Sequence, residues 1–226
     1  YLIYANCICK ITMCLFMKFR LLLSLIFRST IISSCKENES KTSIESTSEV
    51  ESTTKLKEKF IEAKKYCQAQ QLNTDFFFLI DLNKHSGLKR FYVWSFNNEN
   101  ISNSFLVSHG CGNLPWGQDL SKEQAVVSNL DDSHTSSVGK YIIGNRGYSN
   151  WGIHVNYLLH GQEASNNNAL SRQIVLHSWE RVSDDEIYPY GTPEGWGCPA
   201  VSNSSMYIID NLLQNSNRNV LMWIIQ

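Results

Sequence analysis

Apolar residues recur at intervals of three and four positions between residues 55 and 72, the spacing that places side chains on one face of a helix. They are Leu56, Phe60, Ala63 and Cys67. The pattern predicts an amphipathic helix at the start of the folded part of the chain. Cys67 falls on the apolar face, so we expect this thiol to be a buried and unreactive core residue.

After Asn73 the chain changes to short apolar or alternating runs separated by Gly, Asn, Asp and Pro, which is typical of strands joined by turns. The runs are FFFLIDL, RFYVWSF, SFLVSHG, KYIIG, WGIHVNYLL, RQIVLHS and VLMWII. The fifth alternates cleanly between two faces, with one formed by Ile153, Val155, Tyr157 and Leu159 and the other by His154, Asn156 and Leu158. The domain is therefore predicted to be mainly β, a sandwich or a barrel.

The hydrophobic period changes again after Val201. Ser202 or Asn203 can cap a helix, because their side-chain oxygens accept hydrogen bonds from the first free backbone N–H groups. The apolar face of this helix would consist of Met206, Ile209 and Leu213. We therefore predict a mainly β fold with one helix before the strands and one after the last cysteine.

The chain before residue 56 has the pattern of an export signal. Residues 17–35 combine a short basic start, the apolar LLLSLIF and a small-residue end at Cys35 that resembles a lipobox, whose cysteine becomes lipid-modified. We expect residues 1–16 to be an upstream extension and residues 36–55, rich in Ser, Thr and Glu, to be a disordered tether.

The expected product is an exported bacterial protein, periplasmic or anchored at the outer membrane, that meets a membrane only through a lipid on Cys35. Arg28 interrupts the apolar segment with a charge. A plain secretory signal and a membrane-associated N-terminus are therefore the alternatives. The folded domain would comprise residues 56–226.

The charge balance excludes one class of partner. The 226 residues carry a formal net charge of -1 at pH 7 and a sequence pI of about 6.6. Nucleic-acid binding draws on a surplus of Lys and Arg to neutralise phosphates, and this chain has none. With 42% hydrophobic residues, the chain can fill one core of catalytic-domain size.

Of the seven cysteines, only Cys67, Cys111 and Cys198 fall in the predicted domain, and no CxxC pair occurs among them, so a disulfide framework is not expected. A nucleophilic thiol needs a base, a group that orients the base, and backbone donors for the oxyanion. Cys111 follows His109 in the sequence SHGC, and Cys198 lies in a glycine-rich segment after the strand-end His177. For Cys198, a nucleophile and a buried cysteine in a turn fit the residues equally well.

A zinc site is a further hypothesis, with His109, His134, His154, His160 and Cys111 as its ligands. Neither HxxxH nor CxxC spacing occurs among these residues, so we expect no metal and no cofactor. His154 and His160 are expected to be solvated or locally hydrogen-bonded.

From Phe76 to the C-terminus the chain resembles the murein L,D-transpeptidase catalytic domain family, a branch of the YkuD-type transpeptidases. The similar segments are VSHGCG, SHTSSVGKYIIG, GYSNWGIHVNYLLHG, NNNALSRQIVLHS and GCPA at 197–200. Seventeen residues separate His177 from Gly195, within the 14 to 17 that the family places between its histidine and its Ser/Thr-His-Gly-Cys motif. Twenty-two residues separate His85 from Ser108, which is outside that range. The resemblance therefore assigns the nucleophile to Cys198, and we expect substitution of Cys111 to be tolerated.

The resemblance implies a peptidoglycan L,D-transpeptidase with a YkuD-like fold. Cys198 would form a thioester with a stem peptide, and an amine of a second stem peptide would resolve it. His177 would be the general base, oriented by the backbone carbonyl of Ser178, and the N–H groups of Gly197 and Cys198 would form the oxyanion hole. The alternatives are an L,D-carboxypeptidase using the same site and a catalytically weak, peptidoglycan-binding anchor.

The chain departs from the family pattern in two places. Gly195 and Trp196 replace Ser/Thr-His, and Pro199-Ala200 stand where a basic residue often follows the cysteine. The substrate carboxylate would then need another partner, with Arg146, Arg172 and Arg181 as candidates. The residues expected to bind substrate in the cleft are His109, Trp196, Tyr190 and Arg172.

Overall fold

The structure is a computed structural model that describes residues 57–226. The sequence-based segments 1–16, 17–35 and 36–55, and with them Cys35, lie outside these residues. Helix α1 comprises residues 57–69 of the described part. It is followed by the strands β1 Phe76–Asp81, β2 Phe91–Ser95, β3 Asn100–Phe105, β4 Gly139–Tyr148, β5 Val155–Gly161, β6 Val175–Ser178 and β7 Ala200–Val201, then by helix α2 Asn203–Gln214 and strand β8 Leu221–Ile225.

All eight strands form one sheet, in the order β3-β2-β1-β8-β4-β5-β6-β7. The last strand of the chain lies in the middle, parallel to β1 and antiparallel to β4, so it joins the first three strands to the next four. The pair β6 and β7 is also parallel, and the remaining pairs are antiparallel. The prediction of a mainly β fold with a helix on either side is confirmed.

Both faces of the central strands are buried, and each face packs against one helix. Alternate residues of β1 point to opposite faces, which explains its continuous apolar run. The α1 side contains Phe60, Ala63, Cys67, Phe77 and Leu79, and the α2 side contains Phe78, Ile80, Met206 and Ile209. Burial raises the pKa of the Cys67 thiol to about 12, as expected of an inert core cysteine.

Three boundaries differ from, or refine, the sequence prediction. Strand β3 ends at Phe105, so only the start of SFLVSHG is strand, and the segment regains pairing at a bridge between Gly110 and Gly195. His154 has φ +61 and lies in the turn before β5. The strand therefore begins at Val155, whereas the alternating sequence pattern begins at Ile153. Ser202, one of the two expected caps, is the N-cap of α2, accepting a hydrogen bond from the Ser205 N–H at 3.1 Å.

Within residues 57–226, no helix is long and apolar enough to cross a membrane.

Candidate active site

The pairing of β6 with β7 brings His177 close to Cys198. The parallel register places His177 opposite Ala200, and the His177 N–H donates to the Pro199 carbonyl at 3.3 Å. Cys198 therefore lies at the point where the chain enters β7 beside the end of β6. Its Sγ accepts a hydrogen bond from the Val175 N–H at 3.4 Å.

His177 and Cys198 open onto one cavity of about 390 Å³, whose walls are mainly aromatic and apolar. The lining residues are Trp116, Trp151, His177, Trp179, Gly195, Trp196, Cys198 and Ala200. Trp116 stacks on the buried Trp179 with ring centroids 5.0 Å apart, and Trp151 meets Trp179 edge-on at 6.0 Å. Three indole rings thus form one wall beside the reactive groups.

The ring of His177 is fixed by a backbone carbonyl. Its Nδ1 lies 2.9 Å from the carbonyl oxygen of Ser178, which can only accept, so Nδ1 carries the hydrogen in the neutral ring. Nε2 then holds the lone pair. Burial lowers the pKa of His177, while the Ser178 carbonyl and the Glu180 charge act weakly in the opposite direction. At neutral pH the imidazole is therefore an unprotonated base.

The same surroundings act on the thiol. Burial raises the pKa of Cys198, and the Val175 N–H and the positive charge of Arg172 offset only part of that effect. At neutral pH the side chain is a thiol, because its pKa lies above the ordinary value of 9.0. The resting site accordingly holds a neutral thiol and a neutral imidazole, so attack requires removal of the thiol proton.

Gly197 gives the cysteine loop its shape. Its φ of +103 is a conformation that side chains disfavour, and a Cβ there would lie 2.3 Å from the carbonyl oxygen of Thr135. Ser136 Oγ donates to the Gly197 carbonyl at 3.1 Å and accepts from the Gly110 N–H at 3.2 Å. Within the described part of the chain, the N–H groups of Gly197 and Cys198 donate to no other residue, as an oxyanion hole requires.

Gly195 lies in the same loop but in different surroundings. Its N–H donates to the His109 carbonyl and its carbonyl accepts from the Cys111 N–H, both at 2.8 Å. A Cβ added at Gly195 would meet nothing within 4 Å. The backbone is thus held firmly while the side-chain position opens onto the cavity.

The sequence places the chain in a known family. Residues 47–223 match the profile of the L,D-transpeptidase catalytic domain. The chain belongs to the L,D-transpeptidase catalytic domain family. A search of curated proteins finds no match.

Two solved structures are similar to this domain at low identity. The L,D-transpeptidase from Xylanimonas cellulosilytica is 12% identical, with a TM-score of 0.38 over 68% of this chain and 61% of its own. The helical cell shape determining protein from Campylobacter jejuni is 13% identical, with a TM-score of 0.42 over 67% of this chain and 48% of its own. The chain thus spans about half to three fifths of the length of these structures.

His109 does not line the cleft of the L,D-transpeptidase domain, contrary to the expectation from the sequence. Its side chain is fully buried, with Nδ1 2.8 Å from Arg90 Nη2 and Nε2 2.9 Å from Ser121 Oγ. The Ser121 N–H in turn donates to Glu194 Oε1 at 2.5 Å. Burial and the neighbouring Arg90 lower the pKa of His109 to about 3, so the ring stays neutral. His109 holds the cysteine loop from behind, where substrate has no access.

Two other expected substrate contacts are also placed elsewhere. Tyr190 is 73% exposed and does not line the cavity, and its backbone carbonyl packs against Gly87. Arg172 uses both terminal nitrogens on the protein itself, in hydrogen bonds to Ser128, Ser133, Thr135 and Ser137. It fastens the 128–137 loop and has no terminal nitrogen to spare for a ligand. Trp196 does line the cavity.

The remaining histidines and cysteines do not converge. In the part of the chain that the structure describes, no three His, Cys, Asp or Glu side chains are placed to hold a metal ion. His154 stacks on Tyr148, and its Nδ1 lies 3.1 Å from the Ser149 carbonyl. Cys111 is buried and lies outside the cavity lining.

Sequence reasoning missed Trp116, Trp151, Ser136 and Glu194. Each lies in a loop, where no hydrophobic period indicates which way a side chain points. A usable signal for the tryptophans was their occurrence in the glycine-containing segments PWG and NWG, because ligand pockets are lined mainly by apolar and aromatic side chains. Ser136 and Glu194 act through contacts with distant segments, which local sequence does not reveal.

Proposed function

We propose that this domain is a peptidoglycan L,D-transpeptidase with Cys198 as nucleophile and His177 as general base. The observation that carries the proposal is the shared cavity in which Cys198 meets a histidine whose Nδ1 is bound to a carbonyl. That hydrogen bond leaves Nε2 as the basic nitrogen, which a general base requires. Family membership supports the substrate class, since L,D-transpeptidases act on peptidoglycan stem peptides.

In the proposed first step, Cys198 Sγ attacks the carbonyl carbon of the L,D-linkage while His177 Nε2 takes the thiol proton. The N–H groups of Gly197 and Cys198 would stabilise the oxyanion; loss of one such donor costs about 10²- to 10³-fold in rate. The C–N bond then breaks, the leaving D-amino acid takes the proton from His177, and a thioester remains. An acceptor amine next attacks the thioester carbonyl carbon and gives one proton to His177 Nε2. The C–S bond then breaks, and His177 returns that proton to Cys198 Sγ, which restores the neutral thiol and imidazole.

Hydrolysis of the same thioester is the second candidate, which would make the protein an L,D-carboxypeptidase. The open space beside Gly195 favours it, because a water molecule can occupy the position that a side chain leaves vacant. A catalytically weak anchor is the third candidate. It rests on the same glycine, since the pattern that the chain resembles has Ser or Thr at that motif position.

Cys198→Ala in the full chain should abolish the thioester, measured by intact-protein mass spectrometry after incubation with tetrapeptide muropeptides. Cys111→Ala is the matched control and should keep the adduct, because Cys111 lies outside the cavity lining. Product analysis with and without an acceptor peptide separates cross-linking from hydrolysis. Binding of the muropeptide without adduct or product would contradict the enzyme and favour the anchor.

Export and lipid attachment at Cys35 belong to the same proposal and rest on the sequence pattern of residues 17–35 alone. A tether of residues 36–55 would let the domain reach peptidoglycan from a membrane surface. Fatty-acid labelling that is lost in Cys35→Ala would support the anchor, and labelling that persists would contradict it.

A further inference from the structure

The arginines of the domain differ in how many hydrogen bonds their guanidinium groups form with the protein itself. Arg90 is fully buried and bonded to two carbonyls and His109. Arg146 forms two hydrogen bonds with the carboxylate of Asp210 on α2, at 2.8 and 3.1 Å. Arg172 is occupied by the 128–137 loop, as described above. Arg181 is the exception beside the cavity.

Arg181 is exposed and lies against the tryptophan wall. Its Cζ is 5.2 Å from the Trp179 ring centroid and 5.8 Å from that of Trp116, both lining residues of the cavity. Nη2 donates to the Gly117 carbonyl at 2.9 Å. Gly117 has φ +77, and a Cβ there would lie 2.5 Å from Arg181 Nη1, so the loop leaves room for the guanidinium.

The charge of Arg181 has no counterion in the described part of the chain. No carboxylate of residues 57–226 lies within 4.0 Å of its nitrogens, although Glu180 precedes it directly. Of its five N–H donors, one is used. The residues that line the cavity are mostly aromatic or small, and His177 is the only one of them with a basic side chain. A planar cation with free donors, packed against two of the tryptophans that line the cavity, suits a carboxylate ligand.

We propose that Arg181 binds a carboxylate of the donor stem peptide and makes the enzyme specific for donors that carry this group as the free acid. The inference rests on the proposed function and deepens it. The two stacked indoles hold the guanidinium plane in place, so little side-chain entropy is lost on binding. Arg181 thereby supplies the cation that Pro199-Ala200 lacks after the nucleophile.

The test compares Arg181→Gln with wild type in the full chain, using a tetrapeptide donor as free acid, amidated at its C-terminal carboxylate, or amidated at an internal carboxylate. A charge-assisted hydrogen bond contributes about 1.5 to 3 kcal/mol, so kcat/KM for the free acid should fall about 10- to 150-fold, mainly through KM. The kcat/KM of wild type should fall by a similar factor when one of the two carboxylates is amidated, and that donor identifies the carboxylate that Arg181 binds. The kcat/KM of Arg181→Gln should be the same for that amidated donor as for the free acid.

Arg218→Gln is the matched control, an exposed arginine that does not pack against the tryptophans of the cavity, and should behave as wild type. Equal losses of Arg181→Gln on all three donors, or no loss on any, would overturn the inference while leaving the transpeptidase intact. Wild type without thioester on any donor would contradict the proposed function instead. Calorimetric binding of the three donors to Cys198→Ala, with and without Arg181→Gln, decides the inference in that case.

Discussion

At the residue scale, burial acts in opposite directions on the two reactive groups. It raises the pKa of Cys198 and lowers that of His177, so neither is charged at neutral pH. We predict that kcat/KM falls only as pH drops below 6.5 and through the pKa of His177, where the base becomes protonated. Alkylation of Cys198 by iodoacetamide should be slow at pH 6 and accelerate above pH 9, followed by peptide mapping.

Cys67 and Cys111 serve as internal references in the same digest, because both thiols are buried with raised pKa values. Rapid alkylation of Cys198 at pH 6, with the references unmodified, would indicate a thiolate paired with imidazolium. It would contradict the neutral resting state.

The contrast between His109 and His177 shows what sequence can and cannot predict about single residues. The residues around His177, an apolar strand end before a glycine-rich cysteine segment, leave a catalytic and a structural role equally open, and the family resemblance selects His177 as the base. His109 sits in the literal SHGC yet is buried. Its burial depends on Arg90, Ser121 and Glu194, which come from three separate segments, so no local pattern predicts it.

At the element scale, the loop that carries Cys198 offers a matched pair of glycines. A Cβ at Gly195 meets open space, whereas one at Gly197 meets the Thr135 carbonyl from a left-handed backbone. Gly195→Ala should therefore keep both the unfolding free energy and thioester formation. Gly197→Ala should cost about 1 to 3 kcal/mol and displace the oxyanion donors, which lowers kcat more than KM.

Urea unfolding and thioester kinetics measure both effects in the full chain. Equal unfolding free energies and equal rates of thioester formation in the two variants would show that the loop relaxes around an added methyl group. That result would contradict the proposed role of Gly197 in the oxyanion hole.

The elements themselves were predictable where burial imposes a period, as in β1 and α2. Strand β7 was not, because two residues cannot show a period, and only its register with β6 brings Cys198 to His177. The end of β3 was misplaced for a related reason. Leu106 and Val107 are apolar and buried, yet they lie in a segment that has left the sheet.

At the scale of the whole molecule, the buried group of Arg90, His109 and Glu194 links folding to the active site. It fixes the 108–111 segment and the start of the cysteine loop to each other through the bridge between Gly110 and Gly195. Unfolding exposes these groups together, so their protonation contributes to the stability of the entire domain.

The pKa of His109 determines the direction of one such contribution. Its pKa is about 3 in the folded protein and near 6.5 when unfolded, so between these values the unfolded chain binds more protons and acid favours unfolding. From pH 7 to pH 4.5, this residue alone should remove about 2 to 3 kcal/mol from the unfolding free energy. Glu194 acts with the opposite sign, because burial raises its carboxyl pKa and the folded state binds that proton more tightly.

Comparison with His109→Gln isolates the histidine from these other groups. Urea unfolding at pH 7 and pH 4.5 should show a smaller loss in this variant than in wild type, because glutamine does not titrate. His154→Gln, at an exposed position, is the control and should lose as much as wild type. Parallel losses in wild type and His109→Gln would place the acid sensitivity elsewhere. If His109→Gln does not fold at pH 7, proton uptake on acid unfolding of the wild type, measured by potentiometric titration, must include one proton bound between pH 3 and 6.5.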